Sequence, residues 1–344
     1  MAPFLALGTY IWYNIYVKLR GMRMDKKVSV IVPVFNAQEN IKRCLDSLVN
    51  QTLKDIEIII VNSSSVDETE YIINEYIKNY PDKIKHFKVE NNGKAHARNV
   101  GVTKVTAPFF MFVDVEDYLE LEACEELYKE ALKSNYDIVT CDGFYYHLAT
   151  DYKEEITFCD EFSDSEEKNY LVSNFKPWGK IFNTYFWESN NIKFNESIEY
   201  EDLAIIPALA AYAKKIYHVK RPLYNVLQNK IISSDVELYI KSIKDIFKAL
   251  VILESEITTK KKFDEYKEEI EYLYIKHLLF EATTMFLKCE NTKEDINKIV
   301  DIMRKKFPSF KWNTYYVQRE FKFRLACRLI YKRRYELVKK LLKI

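Results

Sequence analysis

Glycine is scarce in this sequence, with six in 344 residues. The first apolar run, VSVIVPVF, continues into NAQEN without a glycine. A nucleotidyltransferase built on a similar sheet would carry a glycine-rich, arginine-containing loop at this point, because such loops bring backbone N–H groups close to phosphates. The missing glycines argue against that class of enzyme.

Paired cysteines and a strong net charge are also missing. The six cysteines include no CxxC pair and no metal-type spacing, which favours reduced thiols in a cytosolic protein. The net charge of +1 gives no support to a nucleic-acid partner. With 48% hydrophobic and 30% charged residues, the chain suits a globular protein of one large or two smaller domains.

Long hydrophobic runs are absent as well. The apolar stretch at 3–17 is shorter than the roughly 20 residues that span a bilayer. It also lacks the charged start and the cleavage site of a signal peptide. Three interpretations of residues 1–24 are open: a membrane-surface anchor, a helix packed on the domain, or extra sequence before a natural start at Met22 or Met24.

Apolar runs alternate with amphipathic segments from residue 27 onward, and a run that is apolar at every position predicts a strand buried on both faces. This alternation predicts an α/β fold with a mostly parallel, doubly wound sheet. The expected strands are 28–35, 56–62, 83–90, 108–113 and 137–147. The expected helices are 41–48, one opened by an S-x-x-E capping box at Ser65 and Glu68, 94–104 and 120–134.

The later part of the chain reads differently. The polar, acidic stretch 150–168 predicts a mobile loop, and the pattern beyond about residue 235 is helical. No internal repeat is visible.

Three carboxylates follow the apolar run in FFMFVDVEDYL, namely Asp114, Glu116 and Asp117. Their mutual repulsion is costly unless a positive group offsets it. Ligands of parallel sheets bind beyond the carboxyl ends of the strands, so this tip should meet those at 33–35 and 62–65. The alternative is a solvated turn whose acids favour the next helix N-terminus.

Five motifs occur in an order typical of one family: VSVIVPVFNAQENIKRCLDSLVNQTLKDIEIIIVN, GKAHARNVG, FMFVDVEDYL, KPWGKIFN and YEDL. Together they resemble glycosyltransferase family 2, over about residues 28–225. The resemblance implies a GT-A (Rossmann-like) fold, with a mostly parallel sheet flanked by helices. It implies a GT-A domain at 25–230, divided into a nucleotide-binding half at 25–120 and an acceptor half at 121–230. The helical C-terminal region, 231–344, has no comparable match.

The resemblance also implies a metal site. The family's usual D-x-D-D corresponds here to Asp114-Val115-Glu116-Asp117, which assigns metal ligation to Asp114 and Glu116, with Asp117 in support. Asp114 would contact either the metal or the ribose. A divalent cation, Mn²⁺ or Mg²⁺, suits oxygen ligands and can neutralise a departing diphosphate as a Lewis acid.

The nucleotide contacts that the family implies fall on the strand tips. Where family members commonly have V-D-D-G-S-T-D, this chain has VNSSSVD, so Asn62 or Ser63 replaces the acid that usually binds uracil or ribose. The alternative is that Ser63–Ser65 form only a helix-capping loop.

Further donor contacts are implied elsewhere in the first half. Pro33 and Phe35 would pack on the base, although Phe35 fits the core equally well. Arg98 would contact the diphosphate or base, because its planar fork suits phosphate, and Lys94 would lie nearby.

The acceptor side is implied by the last two motifs. Asp202 corresponds to the family's general base, which deprotonates the attacking hydroxyl, and Glu201 would orient the acceptor. Trp178 and Lys180 would line the acceptor side, Trp178 by stacking on a sugar or else as a core residue. The alternative for Asp202 is an acid at a helix N-terminus.

The last part of the chain, FKFRLACRLIYKRRYELVKKLLKI, is strongly basic. Two interpretations are open: a cationic amphipathic helix on an anionic membrane surface, or the solvated face of a packed helical bundle.

The sequence thus leads us to expect an inverting, metal-dependent glycosyltransferase. It would move a sugar from a nucleotide-diphosphate donor, by family frequency a UDP-sugar, to a hydroxyl of a glycan or lipid-linked acceptor. The expected context is surface polysaccharide or glycoconjugate synthesis in the cytoplasm, or peripherally on the cytoplasmic face of the membrane. The lost acids at 62–63 keep a second hypothesis open: a catalytically silent, nucleotide-sugar-binding or scaffold protein.

Overall fold

The computed structural model describes residues 25–148, 150–159, 161–228 and 236–344. The predicted N-terminal segment, 1–24, lies outside the described residues. The chain divides into two compact units. The first unit comprises the chain up to residue 159 together with 176–196 and 213–229. The second comprises 160–175, 197–212 and 230–344.

The helices and strands of both units are numbered here in chain order. They are β1 (Val28–Val34), α1 (Ile41–Val49), β2 (Ile56–Asn62), α2 (Thr69–Asn79), β3 (Ile84–Lys88), α3 (Gly93–Thr103), β4 (Phe109–Phe112), β5 (Tyr118–Leu119), α4 (Ala123–Lys133), β6 (Ile138–His147), β7 (Tyr152–Ile156), α5 (Glu166–Val172), β8 (Lys180–Asn183), α6 (Thr184–Ser189), α7 (Glu201–Ile205), β9 (Ile216–Leu227), α8 (Val236–Thr259), α9 (Lys267–Leu273), α10 (Thr283–Phe286), α11 (Lys293–Lys306), α12 (Thr314–Gln318), α13 (Phe321–Tyr331) and α14 (Tyr335–Leu342). Short 3₁₀ turns occur at Pro207–Ala211 and Phe310–Trp312, and a π-helical stretch at Tyr274–Ala282.

A single sheet organises the first unit, with strand order β3-β2-β1-β4-β8-β6-β9-β5 and β7 added beside β6. Strands β3, β2, β1 and β4 run parallel, as do β6 and β9. The other pairs are antiparallel, so the described sheet is mixed. The α/β prediction is confirmed, and the parallel part is the half that precedes the acidic tip.

Strands β1 and β2 form the centre of the core, and every residue in both is buried. Their runs of Val and Ile fit this position because helices cover both faces of a parallel sheet. One charged side chain lies among them. Glu57 accepts hydrogen bonds from Ser29 Oγ at 2.5 Å and from the Thr106 backbone at 2.8 Å, and it pairs with Lys85. Burial alone would raise the pKa of Glu57, but these bonds outweigh it and hold the pKa below its usual value.

The predicted capping box is wrong. Ser65 does not cap α2: its hydroxyl donates to Asn62 Oδ1 at 2.7 Å and accepts from the Asn36 N–H at 2.9 Å. Asp67 instead accepts from the Thr69 N–H at 3.1 Å. The serine thus ties together the loops after β1 and β2.

The prediction of a mobile loop at 150–168 is also wrong, because β7 pairs with β6 within it and α5 begins at Glu166. Strands β5, β8 and β9 were not predicted. Strand β9 contains Pro222 and two neighbouring cations, and its pairing with β6 shifts register at that proline. Proline cannot donate to the ladder, which obscures a strand pattern.

The described part of the second unit is helical. The apolar sides of α13 and α14 are buried, through Ala326, Cys327, Ile330 and Val338. These side chains therefore follow the packed-bundle interpretation. Among the described residues, no helix is long and apolar enough to cross a bilayer.

Candidate active site

The predicted donor residues of the first unit share one edge of the sheet. Val34 at the end of β1 lies opposite Asn62 at the end of β2, and Ile31 lies opposite Phe112 near the end of β4. Because these strands are parallel, their carboxyl ends point the same way. The tips carrying Phe35, Asn62 and Asp114 therefore meet at this edge, as the sequence predicts.

Asp114 is held by two cations. Its Oδ2 atom lies 3.1 Å from Lys94 Nζ, and its Oδ1 atom lies 3.1 Å from an Arg98 Nη atom. Burial would raise the pKa of Asp114, but Lys94 and Arg98 outweigh it and keep the carboxylate ionised. Lys176, in the quoted KPWGK motif, adds a further positive charge that acts on Asp114. The sequence interpretation did not assign Lys176.

Helix α3 delivers both cations, and two of the rare glycines fix its position. Gly93 starts the helix with φ +87°, a conformation that side chains rarely adopt. A Cβ at Gly101 would collide with Ile31, so α3 lies directly against β1. Arg98 is 1% exposed and lies over the Phe194 ring, 5.4 Å from its centroid. The close packing makes Arg98 a fixed cation.

Asp117 supports the acidic tip, through a partner that the sequence interpretation missed. Tyr224 on β9 donates to Asp117 Oδ2 at 2.9 Å and accepts from the Asp114 N–H at 3.2 Å. The Leu227 N–H donates to Asp117 Oδ1 at 2.9 Å. Burial, followed by the charge of Asp114, raises the pKa of Asp117 to about 7.

Glu116 differs from the other two acids. Its backbone oxygen accepts from Arg43 at 3.1 Å, whereas its Oε2 atom is buried and has no hydrogen-bond partner among the described residues. A buried carboxylate oxygen without a partner is costly, and a bound cation would satisfy it.

The donor set fits a divalent cation in part. No group of three or more His, Cys, Asp or Glu side chains in the described residues is arranged to hold a metal. Mg²⁺ needs fewer, because it usually binds through one or two carboxylates plus substrate phosphates and water. Glu116 has a free oxygen for that role, while both oxygens of Asp114 are occupied by cations.

Asn62 is engaged within its own loop. Its amide donates to Glu70 at 2.5 Å, and its Oδ1 accepts from the N–H and the hydroxyl of Ser65. The side chain is fully buried. Ser63 is buried too, and its N–H donates to the Val34 oxygen at 2.8 Å. These contacts join the two strand tips.

The two residues assigned to the tip of the first strand differ in their exposure to solvent. Pro33 is buried within β1, whereas the Phe35 side chain is 48% exposed. The core interpretation of Phe35 is therefore wrong, and the ring is available to a flat ligand.

The predicted acceptor residues of the first unit are buried. Trp178 stacks on Tyr224, with ring centroids 4.9 Å apart and planes 11° apart, and meets the edge of Phe158. Lys180 is buried and donates to the Lys176 backbone oxygen at 2.8 Å. Trp178 is thus a core residue, as one of the two interpretations expected.

Glu201 and Asp202 belong to the second unit, at the start of the short helix α7. Both are buried, and Asp202 Oδ1 accepts from the Leu203 N–H at 2.9 Å. This is the contact of an acid at a helix N-terminus, and it leaves the second carboxylate oxygen to other contacts. The expected approach of Asp202 to the donor site stays a prediction.

Comparison with known proteins places this arrangement in a family. Residues 29–198 match the family model described as glycosyl transferase family 2. The chain carries a glycosyltransferase family 2 domain. The strand edge, with Lys94, Arg98 and the acidic tip, lies wholly inside the matched region.

Two curated relatives show how far the similarity of this chain extends. The putative glycosyltransferase EpsH of Bacillus subtilis is 28% identical over 262 residues, covering 73% of this chain and 74% of the relative. The teichoic acid poly(glycerol phosphate) polymerase of Staphylococcus epidermidis is 30% identical over 200 residues, covering 56% of this chain and 27% of the relative. The chain therefore spans about a quarter of the polymerase.

The fold has a solved counterpart. The S. aureus TarS 1-349 fragment, solved in complex with UDP-GlcNAc, has a TM-score of 0.67 at 19% identity, covering 92% of this chain and 90% of the fragment. The GT-A prediction, with its flanking helices and helical C-terminal region, is confirmed.

Proposed function

We propose that this glycosyltransferase transfers a sugar from a nucleotide-diphosphate donor to a hydroxyl group, with inversion at the anomeric carbon. The observation that carries the proposal is the pairing of Asp114 with Lys94 and Arg98 at the carboxyl edge of the sheet. That edge is where ligands of α/β sheets bind, and its cations suit an anionic donor.

The donor side involves residues with distinct tasks. The exposed Phe35 ring stacks on the base, and Lys94 and Lys176 attract the diphosphate. Arg98 acts mainly through Asp114, because it is buried and packed over the Phe194 ring. Asn62 shapes the loop rather than reads the base, since its side-chain amide bonds to Glu70 and Ser65. Ser63 joins the strand tips through its N–H, which donates to Val34.

Asp114 and Glu116 would hold Mn²⁺ or Mg²⁺. When bound, the ion supplies positive charge to the departing diphosphate without any proton transfer. The buried, unpartnered Oε2 atom of Glu116 supports this assignment.

Asp202 serves as general base in this proposal, taking the proton of the acceptor hydroxyl in a single displacement. Glu201 orients the acceptor beside it. The burial of both acids supports these roles, because side chains packed inside the fold are held in a defined position for proton transfer.

UDP-sugars are the first donors to test, since the TarS fragment of the same fold was solved with UDP-GlcNAc. The polymerase relative is named for teichoic acid, which supports a role in surface polysaccharide or glycoconjugate synthesis. A glycan on a lipid carrier would then be the acceptor.

Such an acceptor would place the reaction at a membrane, and the end of the chain suits that location. Residues 304–344 contain fourteen Lys or Arg and two Asp or Glu, a net charge of +12 in a chain of net +1. Exposed aromatic side chains lie in the same segment, Trp312 at 74% and Phe321 at 70%. Cations beside exposed aromatics suit an anionic lipid surface on the cytoplasmic face.

A donor panel tests the proposal. UDP and GDP sugars are incubated with the full chain, with and without Mn²⁺, and release of nucleoside diphosphate is measured. We expect slow, cation-dependent release from one donor, and its loss in Asp114→Ala. Glu75→Gln, an exposed acid on α2, is the matched control and should behave as wild type.

The second hypothesis is a silent nucleotide-sugar-binding or scaffold protein. The engagement of Asn62 inside its own loop, at a position where the family usually has an acid, favours it. Donor binding without any release of nucleotide, with acceptor glycans present, would support this hypothesis over transfer.

A further inference from the structure

The two cationic side chains that pair with Asp114 differ in how tightly the surrounding fold holds them. Arg98 is buried and fixed by the packing of α3 on β1. Lys94 lies in the first turn of α3 with its side chain 42% exposed. Its bond to Asp114 Oδ2 is an ion pair at the rim of the site, and such pairs exchange readily with water and with other ions.

Glu116, the neighbouring acid, differs from Asp114 in the partners of its carboxylate. Glu116 Oε2 is buried without a hydrogen-bond partner among the described residues, and its charge acts on Lys94. A divalent cation that uses both carboxylates needs an oxygen of Asp114. Since Oδ1 faces the fixed Arg98, the oxygen within reach is Oδ2, which Lys94 holds.

We propose that Lys94 is an exchangeable counter-ion, which holds Asp114 while the site is empty and is displaced by a divalent cation. The exchange replaces one positive charge by two, which also satisfies Glu116. The released ammonium stays on the same helical turn, beside an anionic diphosphate. This inference rests on the proposed cation dependence of the glycosyltransferase, and it adds a competition between a side chain and the ion.

Competition between Lys94 and the divalent cation predicts an effect on cation affinity that would not be expected if Lys94 only bound phosphate. Removing the Lys94 charge should strengthen cation binding when no nucleotide is present, because the competitor is gone. A lysine that only contacts phosphate would leave cation affinity unchanged, apart from the general loss of one positive charge.

The test measures Mn²⁺ affinity of the full chain without nucleotide, by titration calorimetry or by the electron paramagnetic resonance signal of free Mn²⁺. Lys94→Met keeps the aliphatic stem and should bind Mn²⁺ about tenfold more tightly than wild type. Lys78→Met, an exposed lysine on α2 without an ion pair among the described residues, controls for the change in net charge. Thermal unfolding verifies that each variant is folded.

A double-variant cycle isolates the site. In an Asp114→Asn background, Lys94→Met should no longer change Mn²⁺ affinity, because the shared oxygen has lost its charge. An equal gain in both backgrounds would show that Lys94 acts by general charge and would overturn the exchange.

Other outcomes are equally decisive. Equal or weaker Mn²⁺ binding by Lys94→Met contradicts the proposal. If neither protein binds Mn²⁺ while wild type releases nucleotide without metal, Lys94 is a permanent counter-ion: the exchange is wrong, and sugar transfer stands. If Lys94→Met gains affinity but no donor is turned over, the exchange stands and sugar transfer is wrong.

Discussion

The acidic edge of the sheet and the basic end of the chain differ in how their charges are paired. At the edge, Asp114 meets Lys94 and Arg98, and Glu57 in the core meets Lys85. In residues 304–344, cations accumulate with few partners. Nine of them are exposed and form no ion pair with a described acid: Arg304, Lys305, Lys311, Lys322, Arg328, Lys332, Arg334, Lys340 and Lys343.

The contrast separates two uses of charge. Charges that are paired inside the fold contribute to stability and set the electrostatics of the site. Charges that accumulate on the surface add little to stability, but they attract a partner of opposite sign. Substitutions inside the fold should therefore change stability or turnover, whereas substitutions at the basic end should change the binding of a partner.

The largest effect on stability is expected at Arg98. Arg98→Met leaves Asp114 buried with one cation fewer, which should lower the free energy of unfolding by about 3 kcal/mol. Arg328→Met, an exposed arginine on α13, is the matched control and should change it by less than about 0.5 kcal/mol. Urea unfolding followed by circular dichroism measures both. Equal losses would remove the distinction between the two regions.

The largest effect on turnover is expected at Asp202. Asp202→Asn keeps the shape of the side chain but cannot accept the acceptor proton, so transfer should fall at least about 100-fold. Donor affinity, measured by calorimetry, should stay within about twofold, because binding does not use the base. Glu199→Gln, an exposed acid of the same unit, should leave transfer unchanged. Full activity of Asp202→Asn would show that Asp202 is not the general base and serves only at the helix N-terminus.

A smaller effect, and one with a defined pH dependence, is expected at Glu57. Glu57→Gln removes the charge that Lys85 and Thr106 hold, and should destabilise the chain by about 2 kcal/mol at pH 7. The folded-state pKa of Glu57 is lowered, so this stability is present above the ordinary glutamate pKa of 4.5 and is lost as pH falls through the folded-state pKa. The gap between wild type and variant should therefore close in acid. A constant gap across pH would assign the effect to packing.

The smallest expected effect concerns the basic end. At low salt, co-sedimentation with anionic vesicles should weaken about fivefold for each of Lys322→Glu and Arg328→Glu, and the difference from wild type should shrink as salt is raised, because salt screens the charges. Neutral vesicles are the control for lipid insertion alone. Trp312→Ala should weaken binding at all salt concentrations, since its contribution is apolar. If the chain binds a soluble polyanionic glycan equally well, and Trp312→Ala does not weaken that binding, then the partner of the basic end is an anionic polymer and not a membrane.

The parallel half of the sheet could be predicted because its two central strands are apolar at most positions. Val28–Val34 and Ile56–Asn62 need no knowledge of their neighbours to be recognised as buried. The acidic tip could also be anticipated, since acids directly after a buried strand require a counter-charge. Arg98 and Lys94 were assigned from the family pattern, and the structure brings both to Asp114.

Other features depend on contacts that no local pattern contains. Tyr224 reaches Asp117 across 107 residues, from a strand whose pattern Pro222 interrupts. Asn62 is occupied by Glu70 and Ser65, so the residue type alone did not reveal its structural use. The second unit takes the segments 160–175 and 197–212 from the middle of the chain, which differs from the continuous boundaries that the sequence suggested.

The contact between Gly101 and Ile31 bears on how donor preference could be redesigned. It holds the backbone of α3 against β1, so substitutions on the buried side of α3, where Arg98 lies, would disturb the framework before they altered selectivity. The loop at 62–67 is the better starting point for a library, because among the described residues the hydrogen bonds of its side chains go to one another, to the loop after β1, to α2 and to Val89, and none goes to Asp114 or its cations. Exchanging that segment as a block would vary the surface beside Phe35 while leaving the anion-binding charges in place.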